Sequence, residues 1–151
     1  VPREATTRTT AAGSLAKRLG LPEGTPLKTP VLEFSYKNDD LGDPMVNDYH
    51  ILAMGLATRE ELDQIAEMSF AINKMMVEFF KSVNVDLIDF KIEFGKTSDG
   101  KIILADEISP DTCRFWDSDT HEKLDKDRFR RDMGGVEEAY EEMMRRLGLR
   151  K

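Results

Sequence analysis

The longest regular pattern in the chain runs from Arg59 to Ser82. Leu62, Ile65, Ser69, Ile72, Met76 and Phe79 recur at steps of three and four residues, and Ala66 and Phe80 widen the stripe. That spacing predicts an amphipathic helix over Arg59–Ser82. Thr58, with Glu61 three residues on, predicts its capping box. Met68, Met75 and Met76 read as gap-filling core. Leu87–Phe94 alternates instead. Ile88, Phe90, Ile92 and Phe94 would point one way and Asp89, Lys91 and Glu93 the other, as in a half-buried strand. Thr97-Ser98-Asp99-Gly100 carries the Asp-Gly signal of a tight hairpin, and Lys101–Glu107 reads as the returning strand.

The flanks are less regular. Val1–Thr10 is rich in β-branched residues and reads as a polar strand. Ala11–Leu19 reads as a short helix stopped by Gly20. Pro22, Pro26 and Pro30 space out a loop, Val31–Tyr36 forms a strand, and Lys37–Asn47 is a polar loop. Ser109–Trp116 reads as irregular, Leu124–Met133 as charged and partly helical, and Val136–Leu147 as a final helix before Gly148. There is no internal repeat, low-complexity tract or linker. Helices mixed with an antiparallel hairpin predict an α+β fold, an antiparallel sheet packed against helices, in a single domain over 1–151.

Composition narrows the function. A chain of 151 residues buries roughly 70% of its unfolded surface and needs no staple. Acidic residues outnumber basic ones 29 to 22, for a net charge of −7, which argues against a nucleic-acid partner, since that needs a basic face. A lone cysteine, Cys113, excludes an internal disulfide and a CxxC metal knuckle, and His50 and His121 cannot make a His-rich zinc site alone. No run of about 18 apolar residues exists, so no membrane span is predicted. The opening VPREATTRTT has no apolar core of a signal peptide. The expectation is a reduced, soluble, cytoplasmic protein without membrane partners; assembly as a homo-oligomer is left open.

The hairpin suggests chemistry. A two-residue Asp99-Gly100 turn would put Ser98 opposite Lys101 and Glu93 opposite Asp106, with side chains about 5 Å apart on one sheet face. Two converging carboxylates near Lys91 suit a hard divalent cation, which takes oxygen ligands and is often held together with phosphates. Equally, one of them could hydrogen-bond the lysine or meet solvent. Ser109–Asp117 adds hydroxyls, carboxylates and Arg114 just beyond the strand, where a small anion could be gripped. Arg114 could equally pair with Asp117.

These segments resemble a known family. Asp89-Phe90-Lys91-Ile92-Glu93-Phe94-Gly95, followed by Ala105-Asp106-Glu107-Ile108-Ser109-Pro110-Asp111-Thr112-Cys113-Arg114-Phe115-Trp116-Asp117, is similar to the signature of bacterial phosphoribosylaminoimidazole-succinocarboxamide synthase, the SAICAR synthetase of purine biosynthesis. Ala12–Gly20, Lys37–Asp40 with Asp43-Pro44, and Leu124–Arg130 resemble further family segments in the same order. The resemblance implies an ATP-dependent ligase that joins L-aspartate to carboxyaminoimidazole ribonucleotide. It further implies that the nucleotide's carboxylate is activated as an acyl phosphate before the amine attacks. It assigns Glu93 and Asp106 to Mg²⁺, Arg8, Ser14 and Arg114 to the ribose phosphate, Lys91, Asp89 and Asp111 to the substrate pocket as catalytic residues, and Lys37 to its edge.

Two departures stand beside the match. The family carries an N-terminal lobe with a Gly-Lys-x-Lys motif over the ATP phosphates. Here Gly95-Lys96 continues as Thr-Ser and Gly100-Lys101 as Ile-Ile, so the chain reads as lacking that lobe. Thr6-Thr7 stand where the family has a Val pair, and Thr9 where it has Asn. Threonine keeps the β-branched shape and adds a hydroxyl, as expected of a strand made polar to suit water once its covering lobe is gone. A second reading is therefore an engineered or truncated, inactive fragment serving as a folding scaffold. A third, an acidic protein-interaction module, is disfavoured because it does not need paired carboxylates beside Lys91 and Arg114.

Overall fold

The computed structural model describes residues 4–105, 112–124 and 136–146. In chain order these form β1 (Glu4–Thr10), α1 (Gly13–Leu19), β2 (Pro26–Ser35), β3 (Met45–Val46), α2 (Asp48–Ala53), α3 (Arg59–Lys81), β4 (Val85–Lys96), β5 (Ile102–Leu104), β6 (Cys113–Asp117) and α4 (Val136–Arg146), with a 3₁₀ turn at Asp39–Leu41. The class is α+β, as expected. One antiparallel sheet runs β3-β2-β1-β4-β5, and β6 also pairs with β4. The long strand β4 is the spine: it meets β1 on one edge, and β6 and β5 in succession on the other. Among the described residues no helix is long and apolar enough to cross a membrane.

Cross-strand register sorts the sheet into two faces, because directly opposed residues point the same way. One face carries Ala5, Phe34, Phe90, Ile92 and Phe94, and α3 covers it with Leu62, Ile65 and Phe80. The Thr58–Glu61 capping box forms reciprocally at the start of α3, which places this helix where its periodicity put it. The opposite face carries three rows across β2, β1 and β4: Val31, Arg8 and Asp89; Glu33, Thr6 and Lys91; Ser35, Glu4 and Glu93. On this side Leu15 and Ala16 of α1, with Ala11 just before the helix, pack against Leu27 and Val31.

Several expectations give way to tertiary pairing. The alternation in β4 breaks at Ile88. A bulge skips it between Leu87, opposite Phe115, and Asp89, opposite Arg114. Leu87 and Phe90 therefore both enter the main core, and Ile88 joins Ala12 and Trp116 instead. A bulge inserts one residue and resets the phase. Thr9 supports it, donating from Oγ1 to the Leu87 and Ile88 carbonyls at 2.8 and 3.1 Å.

Thr7 corrects the reading of a strand softened for water. It is fully buried beneath the helical layer, and its Oγ1 has no hydrogen-bond partner among the described residues. Pro26 and Pro30 lie inside β2 rather than in a loop. Among the described residues the two-residue β3 pairs with Phe34 and Ser35 alone, and no other strand pairs with that edge of β2, where a missing N–H is tolerated. Cys113–Asp117 is the strand β6 rather than irregular chain, and α2, capped reciprocally by Asn47 and His50, has no counterpart in the sequence reading.

The hairpin register also differs. Phe94 pairs with Leu104 and Lys96 with Ile102. The Gly100 N–H donates to the Thr97 carbonyl at 2.9 Å, and the Thr97 N–H to Lys101 at 2.8 Å. The loop therefore holds Ser98, Asp99 and Gly100, with Gly100 left-handed at φ 87°, the three-residue form with glycine at its last position. Glu93 then sits opposite Ala105, whose N–H donates to the Glu93 carbonyl at 2.8 Å, and not opposite Asp106. Asp106, Asp111 and the segment 125–133 lie outside the described residues.

Candidate functional site

The row Arg8–Asp89–Arg114 joins β1, β4 and β6. Asp89 is buried between the two guanidinium groups. Arg8 donates to its Oδ2 at 2.9 Å, and Arg114 donates to Oδ1 and Oδ2 at 3.2 and 3.0 Å. Arg8 is 7% exposed. It also donates to Glu33, to the Ala12 carbonyl at 3.4 Å and to Ser14 Oγ at 3.2 Å. Arg18 from α1 closes on the other oxygen of Glu33. Arg114 pairs with Asp89 rather than with Asp117, which is held by Arg146 of α4.

Gly13 makes this approach possible. A Cβ built there would stand 2.6 Å from Arg114 Nη2, and the residue has φ +56°. Only a residue without a side chain lets the guanidinium lie against the first turn of α1. The result is a pair of arginines and an exposed serine hydroxyl gathered by three strands and one helix start, with two carboxylates compensating the charge. Planar guanidinium forks of this kind suit a phosphate or carboxylate.

The second cluster lies on the same face. Lys37, two residues beyond β2, donates from Nζ to Glu93 Oε1 at 2.6 Å and lies 4.0 Å from Glu4 Oε1. Lys91 Nζ is 3.8 Å from the same Glu4 oxygen. The hydrogen bond to Glu93 and its charge raise the Lys37 pKa above the ordinary lysine value. Glu4 and Glu93 are opposed directly across β1 and β4. Like charges so placed repel, and the two ammonium groups offset that repulsion. Among the described residues no group of three His, Cys, Asp or Glu could hold a metal. Glu93 supplies a hard oxygen donor beside a cation already drawn to it. That donor chemistry fits Mg²⁺, which uses one or two carboxylates and completes its shell with water and phosphate oxygens.

Arg8, Ser14, Asp89 and Arg114 thus come together, and Lys37, Lys91 and Glu93 form a neighbouring group. Glu4 and Glu33 were not anticipated. Their strands alternate, but which residue of another strand faces each is set by register, which no local pattern reveals. A groove of about 450 Å³ between α3 and the β4–β5 hairpin, lined by Gln64, Glu67, Met68, Gly100, Lys101 and Ile102, includes none of these residues.

Residues 1–147 match the family model of SAICAR synthetase. The chain belongs to the SAICAR synthetase family. It is 65% identical over 147 residues to a phosphoribosylaminoimidazole-succinocarboxamide synthase of Clostridium botulinum (strain Eklund 17B / Type B), covering 97% of this chain and 63% of that protein. The corresponding protein of Coprothermobacter proteolyticus is 62% identical over 148 residues, with 98% and 63% covered. The chain thus spans about 63% of the length of these relatives. The crystal structure of the Ehrlichia chaffeensis synthase superposes with a TM-score of 0.94 at 46% identity, over 99% of this chain and 65% of that one. A SAICAR synthetase solved in complex with ADP gives 0.92 at 49% identity, over 97% of this chain and 62% of that one.

Proposed function

We propose that this chain forms the substrate- and magnesium-binding part of a purine-biosynthesis ligase that joins L-aspartate to carboxyaminoimidazole ribonucleotide, with ATP as co-substrate, in the cytoplasm. The observation that carries the reading is Asp89 bridging Arg8 and Arg114 beside Ser14, on the sheet face that also carries Lys37, Lys91 and Glu93. Family membership supports the reaction class.

In this reading the two arginines and Ser14 take the ribose phosphate, and Lys37 and Lys91 face the nucleotide's carboxylate. Asp89 fixes the arginines in one geometry, so little side-chain freedom is lost on binding. Glu93 and Asp106 would hold Mg²⁺, which would supply positive charge to offset that of the phosphates. Asp111 lines the same pocket.

Isothermal titration of the carboxylated nucleotide in the presence of Mg²⁺ tests this. Arg114→Ala should weaken binding at least tenfold, about 1.4 kcal/mol; unchanged affinity removes the phosphate assignment. Turnover with ATP, Mg²⁺ and aspartate separates the ligase from the inactive-scaffold reading: a cooperative melt without product supports the scaffold.

A further inference from the structure

The cluster of Glu4, Lys37, Lys91 and Glu93 balances to zero formal charge, yet its members are unequally free to move. The Glu4 side chain is 10% exposed and that of Lys37 is 42% exposed. Glu4 stands in the middle of the sheet, between Ser35 of β2 and Glu93 of β4. Lys37 stands outside any strand, on a long side chain that can swing into solvent. Its ammonium rests on Glu93 Oε1 at 2.6 Å and within 4.0 Å of Glu4, so it covers an oxygen that a divalent ion would need.

We infer that Lys37 is a built-in competitor for the divalent cation at Glu93, held there by the buried carboxylate of Glu4 and displaced when the ion binds. The inference rests on the reading of Glu93 as a metal ligand. An ammonium and a divalent ion drawn to the same carboxylate oxygen repel each other at such short range, so the two compete for it. A divalent ion therefore binds with the release of Lys37. The released lysine is then free for an anionic group of the substrate. Metal loading and substrate capture are coupled through one side chain: the ion frees the lysine, and an anion that holds the lysine away lowers the competition for the ion. Glu4 keeps Lys91 as its own counter-ion throughout, 3.8 Å away.

The test is Mn²⁺ binding to the intact chain, read from the free-ion electron paramagnetic resonance signal, with folding checked by circular dichroism. Lys37→Met should bind Mn²⁺ at least tenfold more tightly than the unsubstituted chain. Lys37→Arg, which keeps the charge, should not gain. Lys74→Met, a charge removed from the exposed surface of α3, should leave the affinity unchanged. Adding Glu4→Gln to Lys37→Met restores neutrality and should return the affinity toward its starting value. Equal affinities for Lys37→Met and Lys74→Met overturn the competition. Glu93→Gln separates this from the underlying reading: if Glu93→Gln binds Mn²⁺ as well as the unsubstituted chain, Glu93 is no metal ligand and both fail; if it loses Mn²⁺ while Lys37→Met gains nothing, only the competitor role fails.

Discussion

Asp89→Asn removes the anion shared by Arg8 and Arg114 while keeping the size of the side chain. The structure sets the scale of the loss. Asp89 accepts from Arg8 at 2.9 Å and from Arg114 at 3.0 Å, and its side chain is 4% exposed. With charge centres about 4 Å apart and an effective dielectric of about 20, each pair is worth about 4 kcal/mol before desolvation is counted. Three features reduce the net effect. Asparagine retains one acceptor oxygen, Arg8 keeps Glu33 as a counter-ion, and Arg114 is one-fifth exposed. We therefore expect a loss of about 3 kcal/mol, at the lower end for breaking a buried ion pair from one side. In urea, with a slope of about 2 kcal/mol per molar, the unfolding midpoint falls by about 1.5 M. With the shared carboxylate gone, the two guanidinium groups should bind an external anion more tightly. Inorganic phosphate should raise the midpoint of the variant more than that of the unsubstituted chain, since a ligand of the folded state stabilises it in proportion to occupancy. A loss below about 1 kcal/mol, or an identical response to phosphate, would refute the reasoning.

Thr7→Val removes a buried hydroxyl with no partner among the described residues and keeps the side-chain shape, so stability should rise by about 1 kcal/mol, read as an upward shift of Tm. Gly13→Ala places a methyl group 2.6 Å from Arg114 Nη2 at a left-handed residue; it should cost about 1–3 kcal/mol and weaken nucleotide binding in a titration. The Asp117 carboxyl is held well below the usual carboxylate range by the Thr120 N–H, by Arg146 and by the Asp119 N–H. Its folded pKa is depressed, so the unfolded chain takes up the proton first. That contribution is fully present above the ordinary carboxylate pKa near 4 and is lost as pH falls from there through the lower folded value. Urea midpoints measured from pH 6 down to pH 2 should show the fall, and Arg146→Met should flatten it.

The long helix α3 and its cap were legible in the chain because a helix's face and its first turn are set by residues within four positions of one another. The same locality made Gly20 readable as the end of α1, where it adopts φ 66°. The motif residues of the site could be nominated because residue type restricts chemistry: arginine for phosphate, carboxylate for a hard cation. What joined them could not be read locally. The three rows of the sheet come from the pairing of β1 with β2 and β4, with partners up to 89 positions away, and a one-residue change of register moves every side chain to the other face. Two such single-residue effects decided the outcome. The bulge at Ile88 set Asp89 opposite Arg114, and the three-residue hairpin loop set Glu93 opposite Ala105. Glu4 and Glu33 became part of the charged face through strand pairing alone. The burial of Thr7 was likewise decided by where α3 packs, because exposure is a property of the neighbours that a side chain meets and not of the side chain itself.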